Sequence, residues 1–180
     1  MSDSVRLLVR GALLLAIGAL SQQLRLALPV PVMTLLIGTL VNATLVLAGR
    51  YTTRVLAWTI CVALAVIAFF QGHILGPVVP VIALGNGMYV ELTRTGSKGS
   101  ALFLGAPLGK TLVLAIGMVW ALRLLQLPWG AVTKTLSIFL PLQLATGILG
   151  LLLALGVEKR IPGPRTPKVP QKSTPRKKKT

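Results

Sequence analysis

The side chains able to do chemistry are few, and most are amides. Gln22, Gln23 and Arg25 fall together, Gln71 and His73 flank one glycine, Asn86 stands between two glycines, Trp120 and Arg123 are one helical turn apart, and Gln143 follows Pro141-Leu142. Hydrogen-bonding amides with a tryptophan suit a small, partly aromatic or heterocyclic solute, so these nine residues are the substrate-binding candidates. Arg25 and Arg123, with Lys134, would attract an anion. Each has a structural use as well: interhelical amide bonds contribute about 0.6–2 kcal/mol in a bilayer, and tryptophans and bases anchor helices at the interface. Catalysis has no comparable foothold. The chain has three Asp or Glu, one His and one Cys. It lacks a paired carboxylate and a Gly-x-Ser-x-Gly turn. Gly109-Lys110-Thr111 lacks the upstream strand and glycine spacing of a phosphate loop. No enzyme, metal site or cofactor is expected, and Cys61, alone, forms no internal disulfide.

The elements that hold these residues must lie in a bilayer. Of 180 residues 54% are hydrophobic and 12% charged, and the mean hydropathy is +0.81. Soluble domains carry about a quarter of their residues charged, so a soluble globule of this composition could not solvate its surface. A spanning helix takes roughly 20 apolar residues. Apolar stretches and Pro/Gly turns divide the chain into six spans, near residues 6–24, 31–49, 54–71, 75–92, 101–123 and 135–157. The expected fold is an all-α membrane protein, a compact bundle of about six transmembrane helices within residues 1–160.

Basic residues orient the bundle, because cytoplasmic ends carry excess Lys and Arg. Arg6, Arg10, Arg50, Arg54, Arg94, Lys98, Lys159 and Arg160 mark one set of ends; Arg25, Arg123 and Lys134 mark the other. Both termini are therefore expected in the cytoplasm. Residues 161–180 alternate proline with lysine and arginine and end in a basic run, which predicts a disordered cytoplasmic tail. Next to a membrane such a tail is drawn to anionic lipid by about 1 kcal/mol per basic residue. With no aromatic residues among its charges, nucleic acid is not the expected partner.

Between Arg10 and Val157 the only carboxylate is Glu91. Ionisable groups within a membrane are costly and usually functional, so their scarcity leaves little with which to run a proton or sodium cycle. Glu91 and Lys110, both placed toward the cytoplasmic side, are a possible ion pair, either structural or facing a partner. Lys110 itself reads as snorkelling toward the cytoplasm. Ala12 and Ala16 stack on one helix face, where small residues allow close helix approach. Span four is rich in helix breakers, and Gly85-Asn86-Gly87 is expected to open locally, since irregular backbone at membrane depth must line a cavity or be buried.

Three stretches carry a family resemblance: Arg10 to Ala19 with its Ala-x-x-x-Ala, Leu36-Ile37-Gly38-Thr39-Leu40-Val41-Asn42-Ala43, and Phe70 to Asn86 ending Pro80-Val81-Ile82-Ala83-Leu84-Gly85-Asn86. Over about residues 5–158 the chain resembles the substrate-binding S component of an energy-coupling factor (ECF) transporter. The resemblance implies a six-helix module in a prokaryotic plasma membrane that binds a vitamin or other micronutrient from outside. It implies a transmembrane coupling protein docked on span one, with Ala12 and Ala16 at that interface, and cytoplasmic ATPase subunits that supply the energy. The nickel and cobalt members use an N-terminal histidine, which this chain lacks. A pore-forming, structural or accessory small membrane protein is the alternative.

Overall fold

The computed structural model describes residues 2–24, 30–97 and 99–160. They form an all-α structure of seven helices: α1 (Asp3–Gln23), α2 (Val30–Tyr51), α3 (Arg54–Phe70), α4 (Val78–Thr95), α5 (Ala101–Leu104), α6 (Ala106–Leu124) and α7 (Trp129–Glu158). Helix starts follow from side-chain caps. Ser2, Thr53 and Ser100 accept from the backbone N–H groups of Val5, Leu56 and Phe103, each satisfying a donor that the first turn leaves open. Four helices are long and apolar enough to cross a membrane: α1, the Met33–Tyr51 part of α2, α6 and α7. The 17-residue α3 is apolar but shorter. Helix α4, which carries Asn86, Glu91 and Arg94, is not among the four.

Two element boundaries differ from the sequence expectation. Span five is divided at Gly105 into α5 and α6, because Pro107 sits in the first turn of α6, where its missing N–H costs nothing. Helix α7 begins at Trp129, earlier than the expected residue 135, with Pro128 as its N-cap. Residues 161–180, the expected tail, together with Arg25 and Lys98, lie outside the described residues.

Helix α2 is the centre of the bundle, touching α1, α3, α4 and α7. From Asn42 to Val46 every residue is buried. Helix α7 crosses it with one inward stripe, Thr146, Gly150, Ala154 and Glu158, at successive i, i+4 positions; residues at that spacing share a helix face. A Cβ at Gly150 would lie 2.5 Å from the Asn42 Cβ, so this crossing requires glycine.

The charged contacts gather at the end of the bundle where α2 and α3 join. Arg50 pairs with Glu158 at 2.7 Å, Arg54 with Glu91 at 2.7 Å, and Arg94 donates to the carbonyls of Gly49 and Thr52. These bonds tie α2, α3, α4 and α7 together where the chain turns.

Two packing expectations change. Gly85-Asn86-Gly87 does not open: all three residues are helical and buried within α4. The glycines instead make room for neighbours, Gly85 for Leu114 on α6 and Gly87 for the Trp58 indole on α3. On α1 the close approach uses Gly11 and Gly18, packed against Leu56 and Leu64 of α3, whereas Ala12 and Ala16 are exposed on the outer face.

Candidate solute-binding cavity

A cavity of about 340 Å³ lies inside the bundle. It runs from the turn between α3 and α4 inward to Asn42 of α2 and Lys110 of α6. Helix α1 contributes Gln22, α2 contributes Thr34, Gly38 and Asn42, α4 contributes Asn86, and α7 contributes Phe139 and Gln143. Ligand pockets are typically about 300–1,000 Å³, mostly apolar with a few placed polar groups, and Met33, Ile37, Val41, Leu64 and Ile82 supply the apolar part.

The mouth is built by a helix ending. Gly72, at φ +70°, takes the left-handed conformation that glycine adopts without strain. The N–H of Gly72 then reaches the Phe69 carbonyl at 2.9 Å and that of His73 the Ala68 carbonyl at 2.8 Å, the paired bonds of a Schellman cap. This turn stops α3 and brings His73 to the cavity wall. On the opposite wall Gln22, 5% exposed, donates to the Leu64 carbonyl at 3.1 Å. Its Oε1 is buried with no hydrogen-bond partner among the described residues.

The inner end carries a charge. Lys110 is 4% exposed, and its Nζ donates to Asn42 Oδ1 at 2.6 Å. The same ammonium lies 5.5 Å from the centroid of the Tyr89 ring, within cation–π range. Asn42 Nδ2 donates to Thr146 Oγ1 at 3.2 Å, and that hydroxyl donates to the Gln143 carbonyl at 3.2 Å. The Tyr89 hydroxyl donates to the Gly147 carbonyl at 2.6 Å. Asn42 of α2 and Tyr89 of α4 thus meet the lysine directly, α7 is tied to both through Thr146 and Gly147, and the cation is held in the bundle interior.

No family model, curated protein or solved structure matches the chain.

Of the nine candidates, Gln22, His73, Asn86 and Gln143 line the cavity together. Gln23 is exposed, one position around the helix from buried Gln22. Gln71 caps α3 and lies outside the lining, although its Oε1 is buried with no partner among the described residues. Trp120 and Arg123 are corrected by the geometry of α6. Its inward face holds Lys110, Leu114, Met118 and Ala121; at 3.6 residues per turn Trp120 points outward and is 58% exposed. Arg123 is likewise exposed, bonding the Leu127 carbonyl and lying over the Trp129 ring. Arg25 is outside the described residues.

The expected Glu91–Lys110 pair is also corrected. On α4, Gly87 and Glu91 face α3, where Trp58 and Arg54 wait one turn apart; Gly85 and Leu92 face α6. Glu91 Oε1 accepts from Arg54 Nε and Trp58 Nε1, both at 2.7 Å. Lys110 does not snorkel: it turns inward to Asn42. The Arg54 side chain is 69% exposed, and exposed pairs contribute about 0–1 kcal/mol. Glu91→Gln retains a carbonyl acceptor for Trp58. It should therefore lower stability by about 1 kcal/mol or less. Thermal unfolding of the purified variant checks this.

Asn42 and Thr34 are absent from the nine sequence-based candidates, and Lys110 enters the sequence reading only as a possible partner of Glu91. For Asn42 and Lys110 the available signal was their depth: a polar side chain in mid-span marks a functional site by default.

Proposed function

We propose that the chain is the solute-binding membrane module of an ECF-type uptake transporter, taking a vitamin or similar small micronutrient and driven by a separate coupling protein and ATPase subunits. The observation that carries this reading is the amide-lined cavity of about 340 Å³ within the bundle. In this reading α1 to α4, the α5–α6 pair and α7 form six spans of a prokaryotic plasma-membrane protein. Both termini and the end bearing Arg50, Arg54 and Arg94 face the cytoplasm, by the bias of basic residues toward that side. The mouth at Gln22 and His73 then faces outward.

The other parts of the reading have separate support. Ala12 and Ala16 lie on the exposed face of α1, where a coupling protein would dock. The carboxylates stand at the opposite end from the mouth in ion pairs, so none is placed to relay protons through the cavity. The basic tail, residues 161–180, would lie on anionic lipid.

The test is gentle extraction of the full chain from native membranes, followed by mass spectrometry of retained small molecules and copurified proteins. The expected result is a micronutrient-sized solute together with a membrane coupling protein and an ATPase. An empty cavity with no ATPase, or dye leakage from vesicles containing the pure chain, would overturn the proposal in favour of an accessory or pore-forming role.

A further inference from the structure

We propose that the solute carries a single carboxylate, and that Lys110 is its counter-ion. This rests on the cavity being a solute site, as argued above, and adds the charge class of what it holds. The first observation is a charge balance. The chain has three acidic side chains, and each is engaged elsewhere: Asp3 with Arg6, Glu91 with Arg54 and Trp58, Glu158 with Arg50. None lines the cavity. Lys110, buried on its inner wall, has an amide and an aromatic ring as partners and no acid among the described residues. An ammonium held away from water is costly unless it is both paired and hydrogen-bonded. Asn42 takes one of its three donors; an anion in the cavity would take the others.

The second observation is independent of charge. Asn86 is 3% exposed and lines the cavity, yet its amide makes no side-chain hydrogen bond among the described residues. Gln22 Oε1 is buried with no partner among the described residues. A buried polar atom without a partner costs about 1–3 kcal/mol, which applies to Gln22 Oε1; the Asn86 amide adds bonding capacity on the wall of the same cavity.

The class of anion follows from the inventory. One lysine balances one negative charge. Among the described residues no arginine lines the cavity, so its described walls hold no bidentate fork of the kind that favours phosphate recognition. Apolar side chains from α2, α3 and α4 surround the rest. The fit is a compact, largely apolar or heterocyclic body with one carboxylate directed at Lys110 and polar ring atoms directed at Asn86 and Gln22.

Matched probes separate charge from shape. Thermal unfolding of the full chain in detergent, first stripped of retained solute, is followed with benzoate, nicotinate and hexanoate and with their primary amides. At least one acid should stabilise the protein where its amide does not. Lys110→Met should weaken that binding by about tenfold or more, the usual effect of removing one partner of a buried charged contact. Lys110→Gln, which keeps a donor for Asn42, should do the same. Asn42→Asp provides a gain of function: it supplies a counter-ion within the chain, so it should raise stability without solute and abolish the preference for acid. Equal response to acid and amide, a preference that survives Lys110→Met and Lys110→Gln, or no response to any acid would overturn the proposal. Recovery of a neutral solute from native membranes would overturn it while sustaining the solute-binding reading.

Discussion

Replacing Asn42 by leucine should produce the largest loss of stability of any single polar substitution in the bundle, and removing Lys110 as well should restore most of it. Leucine keeps the γ-branched shape of asparagine and is somewhat larger, so no cavity is created. What is lost is the Oδ1 that accepts from Lys110 at 2.6 Å and the Nδ2 that donates to Thr146 at 3.2 Å. The lysine then keeps its contact with the Tyr89 ring and has no acceptor among the described side chains. A buried charged donor left unsatisfied costs about 3 kcal/mol or more. In Asn42→Leu/Lys110→Met the buried charge is gone and the cavity wall is apolar, and such replacements are often neutral or stabilising. The melting temperatures of wild type, both single variants and the double variant, in one detergent and without solute, form the cycle. Asn42→Leu alone should fall by many degrees, and the double variant should recover more than half of that fall. Strict additivity of the single effects would show that the two side chains are not coupled.

The sequence disclosed the helices more readily than their faces. Pro and Gly turns and roughly twenty-residue apolar stretches located the helical segments, and the missed boundary at Gly105 lay inside an apolar run where hydropathy has no contrast. Facing is different. In water a helix shows which side is buried through polar residues on the other side. Helix α6 offers no such contrast, because its outward stripe, Leu108, Leu112, Ile116 and Trp120, is as apolar as its inward one. Hydropathy therefore gives the distance of Lys110 from the span end without its direction, and Trp120 groups in sequence with the polar cluster. The amides fared better. Gln22, Asn86 and Gln143 lie on three helices, and a polar side chain in a bilayer has reason to face the bundle interior whatever its register. Gly85 and Gly87 show the remaining ambiguity: a glycine pair reads equally as a helix opening or as a packing notch, and only the Leu114 and Trp58 side chains opposite decide for packing.

Gly150→Ala should destabilise the bundle and weaken solute binding together, although residue 150 does not line the cavity. The added Cβ would meet the Asn42 Cβ at 2.5 Å and the Ala43 backbone nitrogen at 2.9 Å. Both belong to the central helix, which is packed by neighbours on several sides, so α7 must move. Forcing a methyl group into a filled interior costs about 1–3 kcal/mol. Thr146 stands one turn before Gly150 on the same face, so displacing α7 lengthens the Asn42–Thr146 hydrogen bond and shifts Gln143 at the cavity wall. Asn42 then loses the bond that orients its amide toward Lys110. Gly156→Ala is the control: it lies on the same helix, and a Cβ there meets nothing within 4 Å, so it should be neutral or slightly stabilising, as alanine is the better helix former. Thermal unfolding with and without retained solute reads both effects. Because the crossing and the cavity share Asn42, the Gly150 variant should lose part of the solute-induced stabilisation as well as baseline stability. A lowered baseline with the full solute response would mean that the α2–α7 crossing supports the fold without positioning the site.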